Sequence, residues 1–289
     1  MEKIIKEKIS SLLSEEEEVL SVEQLGGMTN QNYLVKTTNK QYIVKFFGKG
    51  TEKLINRQDE KYNLELLKDL NLDVKNYLFD IESGIKVNEY IESALTLDSI
   101  VIKTKLDKIA PILQTIHSSG KELKGEFAPF EEIKKYESLI EGSLPYPNYE
   151  EVRRKVFSLE KRLKDLGIKR KSCHIDLVPE NFIESPQGRL YLIDWEYASM
   201  NDPMWDLAAL FLESDFTSQE EETFLSYYES DETPVSREKI RIYKILQDTI
   251  WSLWTVYKEE QGADFGDYGI DRYQRAVKGL VYYGGTDEK

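Results

Sequence analysis

Apolar residues recur at Ile4, Ile5, Ile9, Leu12 and Leu13, the spacing of one helix face, which predicts a helix over 2–19. The pattern then turns to alternation. Strands are predicted over 19–25, 32–37 and 41–47, with a tight turn at Asn39-Lys40. A stripe of Leu54, Ile55, Tyr62, Leu66 and Leu67 predicts a helix over 52–70, and two short strands at 77–81 and 84–90 flank a turn at Ser83-Gly84. Helical periodicity takes over after residue 92, with helices predicted over 98–118, 130–141, 149–166, 204–214, 218–229, 236–260 and 269–283. Only 171–174, 181–184 and 189–193 read as strands there, with a turn at Pro186-Gln187-Gly188. No internal repeat and no low-complexity linker interrupts the chain. The expected fold class is α+β with two lobes. One is a small antiparallel-sheet lobe with a helix, residues 1–91; the other is a larger, mostly helical lobe, residues 92–289, and the hinge is Asn88–Glu92.

A length of 289 residues leaves room for two real cores. The net charge of −14 repels nucleic-acid backbones and anionic membranes, so neither is expected as a partner, and it suits a cationic small molecule. No run approaches the roughly 18 apolar residues of a membrane span. The first residues carry charges every few positions and lack the apolar core of a signal peptide, so a cytoplasmic location is expected. Cys173 is the only cysteine, which excludes an internal disulfide and a Cys-based zinc site. Two histidines exclude a His-rich metal centre. Oligomeric state has no signature in the sequence.

Against that background one constellation points to phosphoryl transfer. His174-x-Asp176 is followed by Asn181, and Asp194 closes the apolar run Leu190-Tyr191-Leu192-Ile193. Such transfer needs a residue that orients the attacking hydroxyl and oxygen ligands for Mg²⁺ at the phosphates. Asp176 suits the first role, and Asn181 and Asp194 the second. Pro179 argues against a helix around Asp176, which puts it on a loop. His174 is read as a structural residue that ties the loop down, and His117 as a core or bracing residue. Asp206, which opens a helix, is read as a support for the loop. In the front part, Leu25-Gly26-Gly27-Met28-Thr29-Asn30 forms a turn whose backbone N–H groups suit phosphate oxygens. No P-loop pattern is present. Lys45 sits in an apolar strand and needs an anionic partner, for which Glu60 is the candidate.

The runs GGMTNQNYLV, INRQDEKYNLELL, HIDLVPENF, LIDWEYASMNDPMWDLA and WSLW span Gly26 to Trp254. Together they resemble the choline kinase and aminoglycoside phosphotransferase superfamily, a branch of the protein-kinase-like fold. The resemblance is strongest to bacterial choline kinases of the LicA type, which supply phosphocholine for cell-surface decoration. It implies ATP and Mg²⁺ as cofactors, Asp176 as catalytic base, and Asn181 and Asp194 as metal ligands. It implies Gly27, Thr29, Asn30, Lys45 and Glu60 around the ATP phosphates, and backbone groups at Glu89 and Ile91 at the adenine. Many choline kinases carry arginine where this chain has Lys45. Choline is the implied substrate, with Glu196, Glu213, Trp251, Trp254 and Tyr268 around it. A trimethylammonium group is recognised by aromatic faces and a nearby negative charge. Trp251 and Trp254, three apart on a predicted helix, share one face and read equally as core. Ethanolamine, thiamine and aminoglycosides are the alternative substrates. A non-catalytic ATP-binding protein would lack one of Asp176, Asn181 and Asp194, and all three are present.

Overall fold

The computed structural model describes residues 2–13, 17–27, 30–48 and 50–286. Thr29, expected at the phosphates, lies outside them. In chain order the first elements are α1 (Glu2–Ser10), β1 (Val19–Gln24), β2 (Gln31–Thr37), β3 (Gln41–Phe46), α2 (Arg57–Leu67), β4 (Asn76–Asp80), β5 (Ile85–Glu89) and β6 (Leu95–Thr96). Then follow α3 (Leu106–Ser118), α4 (Pro129–Leu139), α5 (Tyr149–Asp165), β7 (Lys171–Cys173), β8 (Phe182–Glu184), β9 (Leu190–Leu192) and β10 (Ser199–Asn201). Helices α6 (Pro203–Glu213), α7 (Ser218–Tyr228), α8 (Arg237–Glu260) and α9 (Tyr268–Thr286) complete the order, which is α+β as expected.

The chain forms two compact units. The first comprises Met1–Leu97 and Glu180–Glu196. Its five-stranded antiparallel sheet runs β1-β2-β3-β5-β4. Alternation on β3 and β5 sends Tyr42, Val44, Ile85 and Val87 to one face, where they pack with Tyr33, Val35 and the α1 residues Ile5 and Ile9. Helix α1 stops at Ser10, well short of the expected residue 19. The Ser10 and Ser11 hydroxyls donate to the carbonyls of Lys6 and Lys8, a local competition that disfavours helix continuation.

The boundary also differs from the expected 91/92. Strand β6 pairs with β8, and the Leu97 N–H donates to the Phe182 carbonyl at 2.9 Å. The β8–β9 hairpin is tied further by the Leu192 N–H, which donates to the Leu72 carbonyl at 2.8 Å. These backbone bonds draw 180–196, and with it Asn181 and Asp194, into the first unit.

The second unit comprises Asp98–Pro179 and Tyr197–Lys289. Helix α8 is buried on nearly all sides from Lys239 to Lys258, as befits a central helix. Helices α4, α5, α6 and α9 pack on it. The predicted helix over 98–118 begins instead as a turn, because Asp98 Oδ1 accepts the N–H groups of Ile100 and Val101. Thr217 and Glu220 form a capping box on α7, and Asp202 caps α6 by accepting the Met204 N–H at 3.0 Å.

Asp202 also accepts the Lys169 N–H at 2.9 Å and the Lys239 ammonium at 2.7 Å, both groups of the pair being buried. Asp202→Ala strands that ammonium, so chemical denaturation is expected to show a loss of about 3 kcal/mol or more. A loss below about 1 kcal/mol would mean that water reaches Lys239.

Candidate active site

In the first unit the charged residues form a buried chain. Register places Lys45 of β3 directly opposite Lys86 of β5, so both ammonium groups leave the same face of the sheet. The Lys45 ammonium donates to Asp194 Oδ1 at 2.6 Å, and the Lys86 ammonium to Glu60 Oε1 at 2.9 Å. The expected Lys45–Glu60 pair is therefore replaced by two others. Arg57, one turn before Glu60 on α2, takes the second Glu60 oxygen at 2.6 Å, and Lys86 reaches the first. Lys45 is left to the acid that closes β9.

Glu196, expected at the substrate, has its carboxylate engaged elsewhere. It accepts from Arg57 at 2.8 Å and from the Asn30 amide at 3.1 and 3.2 Å. Asn30 Oδ1 in turn accepts the Gly48 N–H at 3.0 Å, so the glycine turn is tied to α2 through this carboxylate. A Cβ on Gly27 would collide with the Asn30 carbonyl oxygen, which explains glycine there. Farther along the sheet the Glu89 N–H donates to the Lys75 carbonyl, and the Ile91 carbonyl accepts the Ala94 N–H.

Negative charge is crowded in this unit. Burial and then the charge of Asp194 raise the Glu196 carboxyl, with Lys45 and Arg57 opposing. Burial also pushes Asp73 up to about 7; the ammonium of Lys86 and the Val74 N–H pull the other way, and Asp194 adds to the rise. Asn181 stands beside Asp194 because the Ile193 N–H donates to the Asn181 carbonyl at 2.9 Å. An amide oxygen and a carboxylate in a surplus of negative charge are the hard oxygen donors that suit Mg²⁺. Asp194 itself adopts φ 68°, a left-handed conformation that costs a non-glycine residue energy.

In the second unit the loop after β7 carries Asp176. Its neighbour Ile175 has φ 76°, an outlier for a β-branched residue. The conformation is held from both sides. Asp206 accepts the His174 N–H at 2.8 Å and the Ile175 N–H at 2.9 Å, and the Trp205 indole donates to the Ile175 carbonyl at 3.0 Å. His117 bridges Asp206 at 3.0 Å and the Tyr228 hydroxyl at 2.7 Å, which is the bracing role read from its position. Cys173, at the end of β7, is fully buried, and burial raises its thiol well above the ordinary value.

Helices α8 and α9 supply a run of rings. Tyr197 meets Trp251 edge-on at 5.7 Å between ring centres, Trp251 meets Trp254 at 6.3 Å, Trp254 meets Phe265 at 5.0 Å, and Phe265 meets Tyr268 at 6.5 Å. Glu213, at the end of α6, pairs with Arg272, which also donates to the Tyr268 hydroxyl at 2.6 Å. The Tyr268 hydroxyl is pushed up to about 12 by burial. Arg272 opposes that rise, while the charges of Glu213 and Asp176 add to it. Glu213, Arg272 and Tyr268 thus form one bonded group at the end of the ring run. Tyr197, Phe265 and Arg272, like Arg57 and Lys86 in the first unit, were not singled out from sequence. Arg57 and Tyr197 lie inside the runs INRQDEKYNLELL and LIDWEYASMNDPMWDLA, which were a usable signal; Lys86, Phe265 and Arg272 lie in no motif.

The sequence pattern of the choline/ethanolamine kinase family matches residues 22–242. LicA of Haemophilus influenzae is 30% identical over 267 residues, covering 88% of this chain and 78% of that protein. A crystal structure of the choline kinase LicA from Streptococcus pneumoniae is similar with a TM-score of 0.95 and 88% identity, covering 98% of this chain and 99% of that one. A structure of LicA in complex with AMP is similar with a TM-score of 0.92 and 89% identity, over 97% and 98% of the two chains.

The rewired lysines make a contrast that can be measured. The side chains of Lys86 and Glu60 are 3% and 1% exposed, whereas Asp194 keeps 26% of its surface. Lys86→Met is expected to cost about 3 kcal/mol in urea unfolding, and Lys45→Met less than half of that, because water screens the acid left behind. Equal losses would mean that both pairs are equally dry.

Proposed function

The chain belongs to the choline/ethanolamine kinase family, and we propose that it transfers the γ-phosphoryl group of ATP to the hydroxyl of choline, giving phosphocholine and ADP. The observation that carries the reading is the run of rings from Tyr197 through Trp251, Trp254 and Phe265 to Tyr268, which ends on Glu213 through Arg272 in the same unit as the braced Asp176 loop. A carboxylate on a braced loop, in one unit with a run of rings that ends on an acid, suits an alcohol attached to a quaternary ammonium. The similarity to an AMP-bound LicA supports a nucleotide at the other reactant position.

In this reading Asp176 accepts the choline hydroxyl proton as the oxygen attacks the γ-phosphorus. The bond from that phosphorus to the β,γ-bridging oxygen breaks, and the electron pair leaves with ADP. Lys45 turns from Asp194 to the phosphates. Asn181 and Asp194 would hold Mg²⁺, which would supply positive charge to offset that building on the phosphates. Gly27 lets the turn backbone approach those oxygens, and Asn30 fixes the turn through Glu196. The backbone from Glu89 to Ile91 receives the adenine. ATP and choline as reactants agree with a cytoplasmic enzyme whose product serves cell-surface decoration.

An ADP-release assay across choline, ethanolamine, thiamine and kanamycin tests the substrate. Choline is expected to lead by about a hundredfold in kcat/KM, the discrimination that a site matched to one polar headgroup reaches or exceeds. A lead by any other acceptor overturns the assignment. Asp176→Ala is expected to lower kcat by about three decades while ATP affinity and thermal midpoint stay near wild type. Near-normal turnover would remove Asp176 from its role. Trp254→Ala is expected to raise the choline KM by about tenfold or more through loss of a desolvated cation–π face. An unchanged KM would make Trp254 a packing residue only.

A further inference from the structure

A buried cation sits at the end of the ring run. Arg272 lies one helical turn beyond Tyr268 on α9 and is 3% exposed. It donates to Glu213 Oε1, to the Tyr268 hydroxyl at 2.6 Å and to Asp248 Oδ1 at 3.1 Å, and its guanidinium carbon lies 4.7 Å from the centre of the Tyr268 ring. Arg275 donates to both Asp248 oxygens, to Oδ2 at 3.0 Å and to Oδ1 at 2.5 Å. Two acids and two arginines therefore balance, and the group is locked by burial: removing one member leaves another uncompensated.

This arrangement alters what Glu213 offers to a ligand. A carboxylate already shared with a guanidinium attracts a second cation less strongly. A primary ammonium brings three N–H donors, loses their water on entry and needs acceptors in return. Among these residues it meets further donors instead: the Arg272 N–H groups, and the Trp254 indole N–H, which is buried and unpartnered. A trimethylammonium group has no donor to satisfy and is held by ring faces and a diffuse negative field.

We propose that Arg272 is a specificity-determining positioning residue, which by holding Glu213 and the Tyr268 hydroxyl tunes the pocket toward a quaternary ammonium and against a primary one. The proposal rests on the choline reading above. It assigns the discrimination to a residue that need not touch the substrate, and it works by withholding an acceptor from the competitor.

The test is kcat and KM for choline and for ethanolamine, measured on the full chain for wild type, Arg272→Lys, Arg272→Met and the Arg272→Met/Asp248→Asn pair. Freeing Glu213 is expected to lower the KM for ethanolamine and shrink the choline-to-ethanolamine ratio of kcat/KM by about tenfold. Arg272→Lys keeps a cation at Glu213 and is expected to hold the ratio within about threefold of wild type. The paired variant removes a positive and a negative charge together and keeps the net charge of the cluster, a second route to a folded protein if Arg272→Met alone unfolds. An unchanged ratio in a folded Met or paired variant, or an equal loss of kcat on both substrates, overturns the role of Arg272 and leaves the choline reading standing. A wild-type chain that does not phosphorylate choline removes both.

Discussion

One carboxylate on two backbone N–H groups sustains the catalytic loop. Asp206 accepts from both His174 and Ile175, and without that double contact the left-handed Ile175 loses most of what offsets its strain. The direction in which Asp176 leaves the loop depends on that conformation. Asp206 is in turn fixed by the helix it opens and by His117, while Trp205 holds the Ile175 carbonyl. The strain is local, and the atoms that support it belong to a single well-packed unit.

The first unit meets its own demand differently. There the polar residues are bound to each other: Asn30 to Glu196, Glu196 to Arg57, Arg57 to Glu60 and Glu60 to Lys86. Buried ionic chains of this kind add little net stability, since desolvation offsets much of the attraction. They do fix geometry. A turn, a helix and two strands are held in one arrangement, and Lys45 and Asp194 are left as the more accessible pair at its end. The second unit repeats the device around Asp248, where the arginines replace water as the neighbours of its acids.

The motif residues were legible because their spacing is local. Asp176 and Asn181 lie five apart on one loop, and the apolar run before Asp194 marks it as a strand end. The helices of the second unit were legible from their periodicity and caps. What stayed hidden depends on pairing between distant segments. No pattern in the sequence says that Lys45 falls opposite Lys86, and that register decides which lysine meets Glu60. The boundary was misplaced because β6 is two exposed residues, Leu95 and Thr96, too short to show alternation. Glu196 was drawn to the substrate by its place in a motif, whereas Asn30 and Arg57 claim its oxygens. Arg272 was invisible because a lone arginine on an amphipathic helix ordinarily faces water.

Cys173 gives the molecule an internal clock. Its sulfur is sealed at the end of β7, beside the Asn201 carbonyl, and resists ionisation. A reagent that modifies thiolates must wait for β7 and β10 to part, and that parting would also release the backbone leading into His174. With no second thiol in the chain to confuse the signal, the rate of modification counts the openings of the catalytic loop's own anchorage.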